Sequence, residues 1–172
     1  METLTPLTII ERNGSDSLRA EITEVISGKT ILVGIGNIMR GDDGAGPALI
    51  NNLSGRISAE CLDVGSVPEN YLEKMVMLHP QTIVFIDTAN FYGTPGEIRL
   101  FNPKAVCTGI CSTHTGSMEL IDIYLRRRLS SVHIVIIGIQ SLEIQFNSPM
   151  SKEVRQAIEI LTSIFLKVFP HA

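Results

Sequence analysis

A chain of 172 residues, 44% hydrophobic and 19% charged, has the length and apolar content of one globular domain. Its formal net charge of −4 excludes a basic nucleic-acid footprint, and the one basic run, Arg126-Arg127-Arg128, is placed to end a helix, where cations complement the dipole. No apolar stretch reaches the roughly 20 residues of a membrane span, and METLTPLTIIERNGSDS lacks the basic start and long apolar core of a signal peptide. Cys61, Cys107 and Cys111 form no paired framework, as expected in a reducing compartment, so a cytoplasmic protein is predicted.

In chain order, Ser15 to Ser27 carries apolar residues at Leu18, Ile22, Val25 and Ile26, near the helical period, and Gly28 supplies a stop. Residues 1–28 thus read as an extension bearing one short helix, ahead of a main domain over 29–172. Strand-like blocks rich in Val and Ile follow at Thr30–Ile35, Glu60–Val64, Thr82–Thr88, Glu97–Phe101 and Val132–Ile139. Helical patterns lie between them at about Pro47–Leu53, Pro68–Leu78 and Ser117–Leu129, and a last one runs from Ser151 to Val168. Near-continuous apolar strands alternating with helices predict a single three-layer α/β domain, its mostly parallel central sheet flanked by helices on both faces. Glu97–Phe101 and Leu142–Phe146 follow their preceding strands too closely for a crossover helix, so both are predicted as antiparallel additions.

The first strand runs into GIGNIMRGDDGAGP, Gly34 to Pro47. Gly34 and Gly36 fit the first two places of a dinucleotide fingerprint and Asp63 could imitate the ribose-binding acid, but the third glycine place falls on Met39. Two adjacent acids, Asp42 and Asp43, would also repel a phosphate at the loop tip. The same acids lie between a strand's carboxyl end and a helix start with Pro47 in its first turn, where one could cap the helix and the other face a ligand. In open α/β sheets that edge is where ligands bind.

Asp87 ends the apolar strand TIVFID at the same edge, and a carboxylate leaving a buried strand requires hydrogen bonds or a metal. His114 lies in the polar loop CSTHTGS ahead of a helix. If the strand order permits, Asp43, Asp87 and His114 converge as two oxygens and one imidazole, an open three-ligand set suited to nickel or zinc. A second metal reading joins Cys107, Cys111 and His114, with Cys61 completing a structural zinc site, although the spacing is not a standard one.

Five segments, VGIGNIMRGDDGAGP, DVGSVPEN, IVFIDTANFYGTPGEI, the STHT loop, and IGIQ followed by the final helix, resemble the NiFe-hydrogenase maturation endopeptidases, especially the branch serving hydrogenase-3-type enzymes. They keep the family's order and cover nearly all of Thr30 to Phe169. The resemblance implies an α/β fold with a twisted central sheet. It also implies a protease that removes the C-terminal extension of a hydrogenase large-subunit precursor after nickel insertion. The nickel-recognition ligands carry over onto Asp43, Asp87 and His114. Nickel would come with the substrate rather than be a resident cofactor, and zinc or cadmium could occupy the same ligands. Two departures stand out: residues 1–28 have no counterpart in the shorter relatives, and Asn90 stands where many relatives carry another acid.

For the chemistry, substrate-held nickel could position the scissile bond or polarise it, with Asp42 as a candidate general base. Asp43 and Asp87 acting as a proton-sharing aspartyl pair is the alternative within the same class. A noncatalytic chaperone that binds the nickel-loaded precursor and a nucleotide-binding module are the competing functions.

Overall fold

The structure is a computed structural model and describes residues 15–103, 111–112 and 115–171; residues 1–14, Cys107 and His114 lie outside these. Among the described residues six strands form one sheet: β1 (Thr30–Ile35), β2 (Glu60–Gly65), β3 (Thr82–Asn90), β4 (Ile98–Phe101), β5 (Cys111–Ser112) and β6 (His133–Gln140). The spatial order is β2-β1-β3-β6-β4, with β5 paired to β3 off this path. Four strands, β2, β1, β3 and β6, run parallel, while β4 joins β6 antiparallel and β5 joins β3 antiparallel. The mostly parallel sheet expected from the near-continuous apolar strands is therefore present.

Among the described residues the helices are α1 (Ser15–Val25), α2 (Ala45–Leu53), α3 (Leu72–Met77), α4 (Thr115–Arg128) and α5 (Lys152–Val168), with 3-10 turns at Gly41–Gly44 and Pro68–Tyr71. Strand side chains alternate between two cores. Leu32, Val84, Ile86, Val135 and Ile137 meet α1, α2 and α5 on one face, whereas Ile31, Val33, Phe85, Ile134 and Ile136 meet α3 and α4 on the other. Burial on both faces is why these strands lack a polar alternate residue. Helix α5 starts where Ser151 Oγ accepts from Val154 N at 3.3 Å, and it buries Val154, Ala157, Ile158, Leu161, Ile164 and Phe165 as one stripe.

One predicted strand is not a strand. Leu142–Phe146 forms an extended loop outside the sheet. Its backbone groups are engaged elsewhere: Asp42 takes the N–H groups of Leu142 and Glu143 and donates to Glu143 O, and the Arg40 guanidinium donates to Ile144 O. The antiparallel placement of Glu97–Phe101 holds, with β6 as its partner: Ile98 is opposite Ile139 and Phe101 opposite Ile136.

Helix α1 is part of the core. Leu18 and Ile22 are buried beside α5. Thr82 Oγ1 donates to Ser27 O at 2.8 Å and accepts from Ser27 N, and the His133 ring lies 2.8 Å from Val25 O through Nδ1, which must carry the proton because a carbonyl only accepts. These contacts fasten the leading segment to the amino ends of β3 and β6. Among the described residues no helix is long and apolar enough to cross a membrane.

Ile22→Ala would leave a cavity between α1, α5 and the sheet. It is expected to lower the unfolding free energy by about 2–5 kcal/mol, the range for truncating a buried aliphatic side chain. Urea denaturation checks this; an unchanged midpoint would show that α1 is merely draped on the surface.

Candidate active site

The loop that follows β1 is held against the loop that follows β6. Asp42 does most of this. Its Oδ2 accepts from Leu142 N at 2.8 Å and Glu143 N at 3.0 Å, and its Oδ1 accepts from Ser151 N at 2.6 Å. Asp42 N donates to Glu143 O, and Asn147 N donates to Met39 O at 2.7 Å. Asp42 is fully buried, at 0% exposure. A general base needs a lone pair directed at the substrate, and both oxygens here face backbone donors of the chain itself. The candidate base of the sequence reading is, on this geometry, a clamp between two loops.

Asp43 faces differently. Both acids sit on the 3-10 turn Gly41–Gly44, where three residues per turn send neighbouring side chains about 120° apart. Asp43 Oδ2 accepts from Asn37 N at 3.0 Å, and Oδ1 lies 3.5 Å from Thr88 Oγ1, the hydroxyl donating. Thr88 N in turn donates to Asp87 Oδ1 at 2.8 Å. Thr88 thereby links the two carboxylates, which are 4% and 2% exposed, at the carboxyl ends of the parallel strands. Neither acid of the Asp42-Asp43 pair caps α2, whose N-cap position, Gly44, has no side-chain bond.

Gln140, the last residue of β6, completes the edge. Its Oε1 accepts from Phe91 N at 3.0 Å and Gly93 N at 3.1 Å, while Nε2 donates to Asn90 Oδ1 and Ser141 O. Asn90 Oδ1 also accepts from Tyr92 N. The carboxamide at position 90 thus shapes the turn after β3. Thr88, Gln140 and Asn37 were not singled out from sequence. A signal existed for Gln140, an amide ending an otherwise apolar strand in IGIQ, where burial demands partners. Among the described residues no buried side-chain nitrogen or oxygen lacks one.

The glycines of the loop serve the chain's own packing. A Cβ at Gly34 would come within 2.5 Å of Gly46 O, one at Gly46 within 2.3 Å of Ile35 O, and one at Gly36 (φ +140°) within 1.8 Å of Asp43 O. The backbone carbonyls of Asp43 and Gly46 fill the space beside Gly36 and Gly34. Asp63 is an exposed residue whose Oδ1 accepts from Gly65 N, a local turn contact. The nucleotide reading loses its cradle.

The four-ligand zinc reading fails on register. Cys61 lies opposite Leu32, itself opposite Val84, whereas Cys111 lies opposite Asn90. Six residues along β3 separate those levels, about 20 Å at roughly 3.3 Å per residue. Burial, then the neighbouring Glu60, pushes the Cys61 thiol up to about 11. Cys107 and His114 lie outside the described residues, so their places in either metal reading do too.

The fold and the paired carboxylates define an α/β protein with an acidic site at the carboxyl edge of its parallel sheet. A family model for hydrogenase maturation proteases, HycI, matches residues 47–168. The Hydrogenase 3 maturation protease of Escherichia coli K12 is 30% identical over 132 residues, spanning 75% of this chain and 83% of that one. The [NiFe] hydrogenase maturation protease HycI from Thermococcus kodakarensis KOD1 superposes with a TM-score of 0.77 at 25% identity, covering 88% of this chain and 99% of that one. The endopeptidase HycI from Escherichia coli superposes with a TM-score of 0.66 at 27% identity, over 79% and 88% of the two chains. The chain belongs to the hydrogenase maturation protease family, and it is accordingly a peptide hydrolase.

Asp42→Asn must turn an amide NH2 toward at least one backbone N–H, leaving a buried donor unsatisfied. The expected loss of stability is about 1–3 kcal/mol, with faster hydrogen exchange over residues 141–151. Unchanged stability and exchange would remove Asp42 from the clamp and return it to the list of proton carriers.

Proposed function

We propose that this chain removes a C-terminal extension from a NiFe-hydrogenase large-subunit precursor, and that it recognises nickel already held by that substrate. The observation that carries the reading is the pair of buried carboxylates, Asp43 and Asp87, held at one sheet edge with Thr88 between them. Ser112, two residues before His114 in sequence, lies opposite Ala89, two residues after Asp87, which favours His114 as the third ligand. Oxygen and imidazole donors suit a borderline divalent ion such as nickel, and zinc or cadmium could occupy the same set.

Exposed apolar side chains surround this edge: Ile38 and Met39 after β1, Val67 after β2, Tyr92 after β3, and Leu142 and Phe146 after β6. Such a rim suits a polypeptide better than a small polar metabolite. The substrate's nickel supplies the anchoring charge, and as a Lewis acid it would polarise a carbonyl or water placed beside it. The chain's own groups orient and hold. Asn37 N and the Thr88 hydroxyl fix the Asp43 carboxylate, Thr88 N fixes that of Asp87, and Asp42 keeps the loop after β6 against them. With Asp42 engaged in this way, its part in the reaction is positioning rather than proton transfer. A cytoplasmic location accords with an enzyme that acts on a precursor during its assembly.

Asp43→Asn and Asp87→Asn each retain an amide oxygen for the backbone N–H they accept, so both should stay folded. Cleavage of nickel-loaded precursor, read as a shortened product by mass spectrometry, is expected to fall by about a hundredfold or more, the scale of loss when a reacting bond is misplaced. His114→Ala should do the same. Nickel-free precursor should remain uncut, and chelator-washed enzyme should keep its Tm. Equal cutting of loaded and nickel-free precursor would overturn nickel recognition, and binding without any cutting would leave a maturation chaperone.

A further inference from the structure

Tyr92 combines two properties that both oppose folding. It has φ of +60°, in the left-handed region that a bulky side chain rarely adopts, and it is 84% exposed. Among the described residues the other two non-glycine residues with positive φ are Asn147, a type suited to that region, and His79, at the opposite edge of the sheet. A glycine would relieve the strain at position 92, yet the glycine stands next door. There, a Cβ at Gly93 would come within 2.5 Å of the Glu97 carboxylate and 2.6 Å of the Phe91 ring.

The turn is held in place from beneath. Gln140 Oε1 binds the N–H groups of Phe91 and Gly93, and Asn90 Oδ1 binds the N–H of Tyr92 between them. Three consecutive donors are thus fixed by two side chains. Gln140 Nε2 in turn donates to that same Asn90 oxygen. Phe91 points inward, its ring 5.6 Å from that of Phe101 and covered by the Arg99 guanidinium at 4.4 Å. With Phe91 buried and the backbone pinned, Tyr92 has nowhere to go but out, two residues beyond the end of β3 and five beyond Asp87.

We propose that Tyr92 is a specificity-determining contact for the polypeptide substrate, its ring packing on the chain near the scissile bond, and that Gln140 is the positioning residue that presents it. This rests on the reading of the enzyme as a precursor-cleaving protease. Local strain held by an over-determined network marks functional positions, and a tyrosine offers a rigid amphipathic surface that is typical of binding hot spots. The ring stabilises nothing in the free enzyme. Its contribution comes when substrate covers it.

The test compares Tyr92→Gly, Tyr92→Phe and Gln140→Glu with the wild-type chain on nickel-loaded precursor. Tyr92→Gly is expected to match or exceed the wild-type Tm, because glycine fits the left-handed turn, while KM rises about tenfold and kcat stays within about twofold. Tyr92→Phe keeps the ring and should keep KM within about twofold. Gln140→Glu retains the acceptor and loses the donor; it should raise KM, and adding it to Tyr92→Gly should raise KM no further, since it acts through Tyr92. An unchanged KM in Tyr92→Gly, or a loss confined to kcat, would overturn the proposal. If the wild-type chain cuts nothing, the protease reading falls, and direct binding of the precursor decides for Tyr92 alone. Binding about tenfold weaker in Tyr92→Gly supports the contact, and equal binding overturns it.

Discussion

The buried Asp42 carboxylate sets the geometry of the carboxyl edge of the sheet. A charge with no exposure to water must be compensated by donors, and Asp42 is compensated by backbone N–H groups drawn from Leu142, Glu143 and Ser151. Those three residues span the whole connection between β6 and α5. The carboxylate therefore fixes where the loop leaves the sheet, where it returns, and where the last helix begins. Asp43, the next residue, inherits its position from a turn that cannot shift without breaking those bonds.

The glycines of the same loop act with the clamp. Gly34 and Gly46 let α2 lie directly on β1, with no room for a Cβ between them. This close approach brings Asp43 Oδ1 to the Thr88 hydroxyl on the neighbouring strand. A loop that looks as if it were built for phosphate is instead closed on itself. Backbone proximity, which in a dinucleotide fold serves the cofactor, here serves the contact between helix and sheet.

Much of this was legible in the sequence, for identifiable reasons. The parallel strands announce themselves because burial on both faces removes every polar alternate, as in TIVFID and HIVIIGIQ. Asp43 and Asp87 stand out because carboxylates at the ends of such strands need a purpose. Leu142–Phe146 misleads because Leu142, Ile144 and Phe146 alternate with Glu143 and Gln145 at the period of a strand. What decides its conformation is Asp42, a hundred positions earlier in sequence, and no local pattern carries that information. The same distance hides the difference between Asp42 and Asp43, two identical side chains whose roles diverge only once the loop after β6 has folded over one of them. Gln140 was overlooked for a related reason: its partners belong to a turn 50 residues upstream.

The two ends of the sheet divide the work. At the amino ends, Thr82 and His133 hold the α1 segment through Ser27 and Val25, contacts that fasten a helix and face no acidic side chain of the site. At the carboxyl ends, Asp87, Thr88 and Gln140 point into the site or the turns around it. Thr82 and Thr88 lie on one strand, about 20 Å apart at roughly 3.3 Å per residue. A parallel sheet buried on both faces is a stiff spacer over that distance, because β1, β3 and β6 are each bonded to neighbours on both sides. Changes in the leading helix can thus alter how firmly the domain holds together without re-aiming the carboxylates. Changes in the loops at the far edge re-aim the site at little cost to the core. That separation lets the edge carry a strained tyrosine and the buried Asp43 and Asp87, which would be liabilities anywhere that the fold itself depended on them.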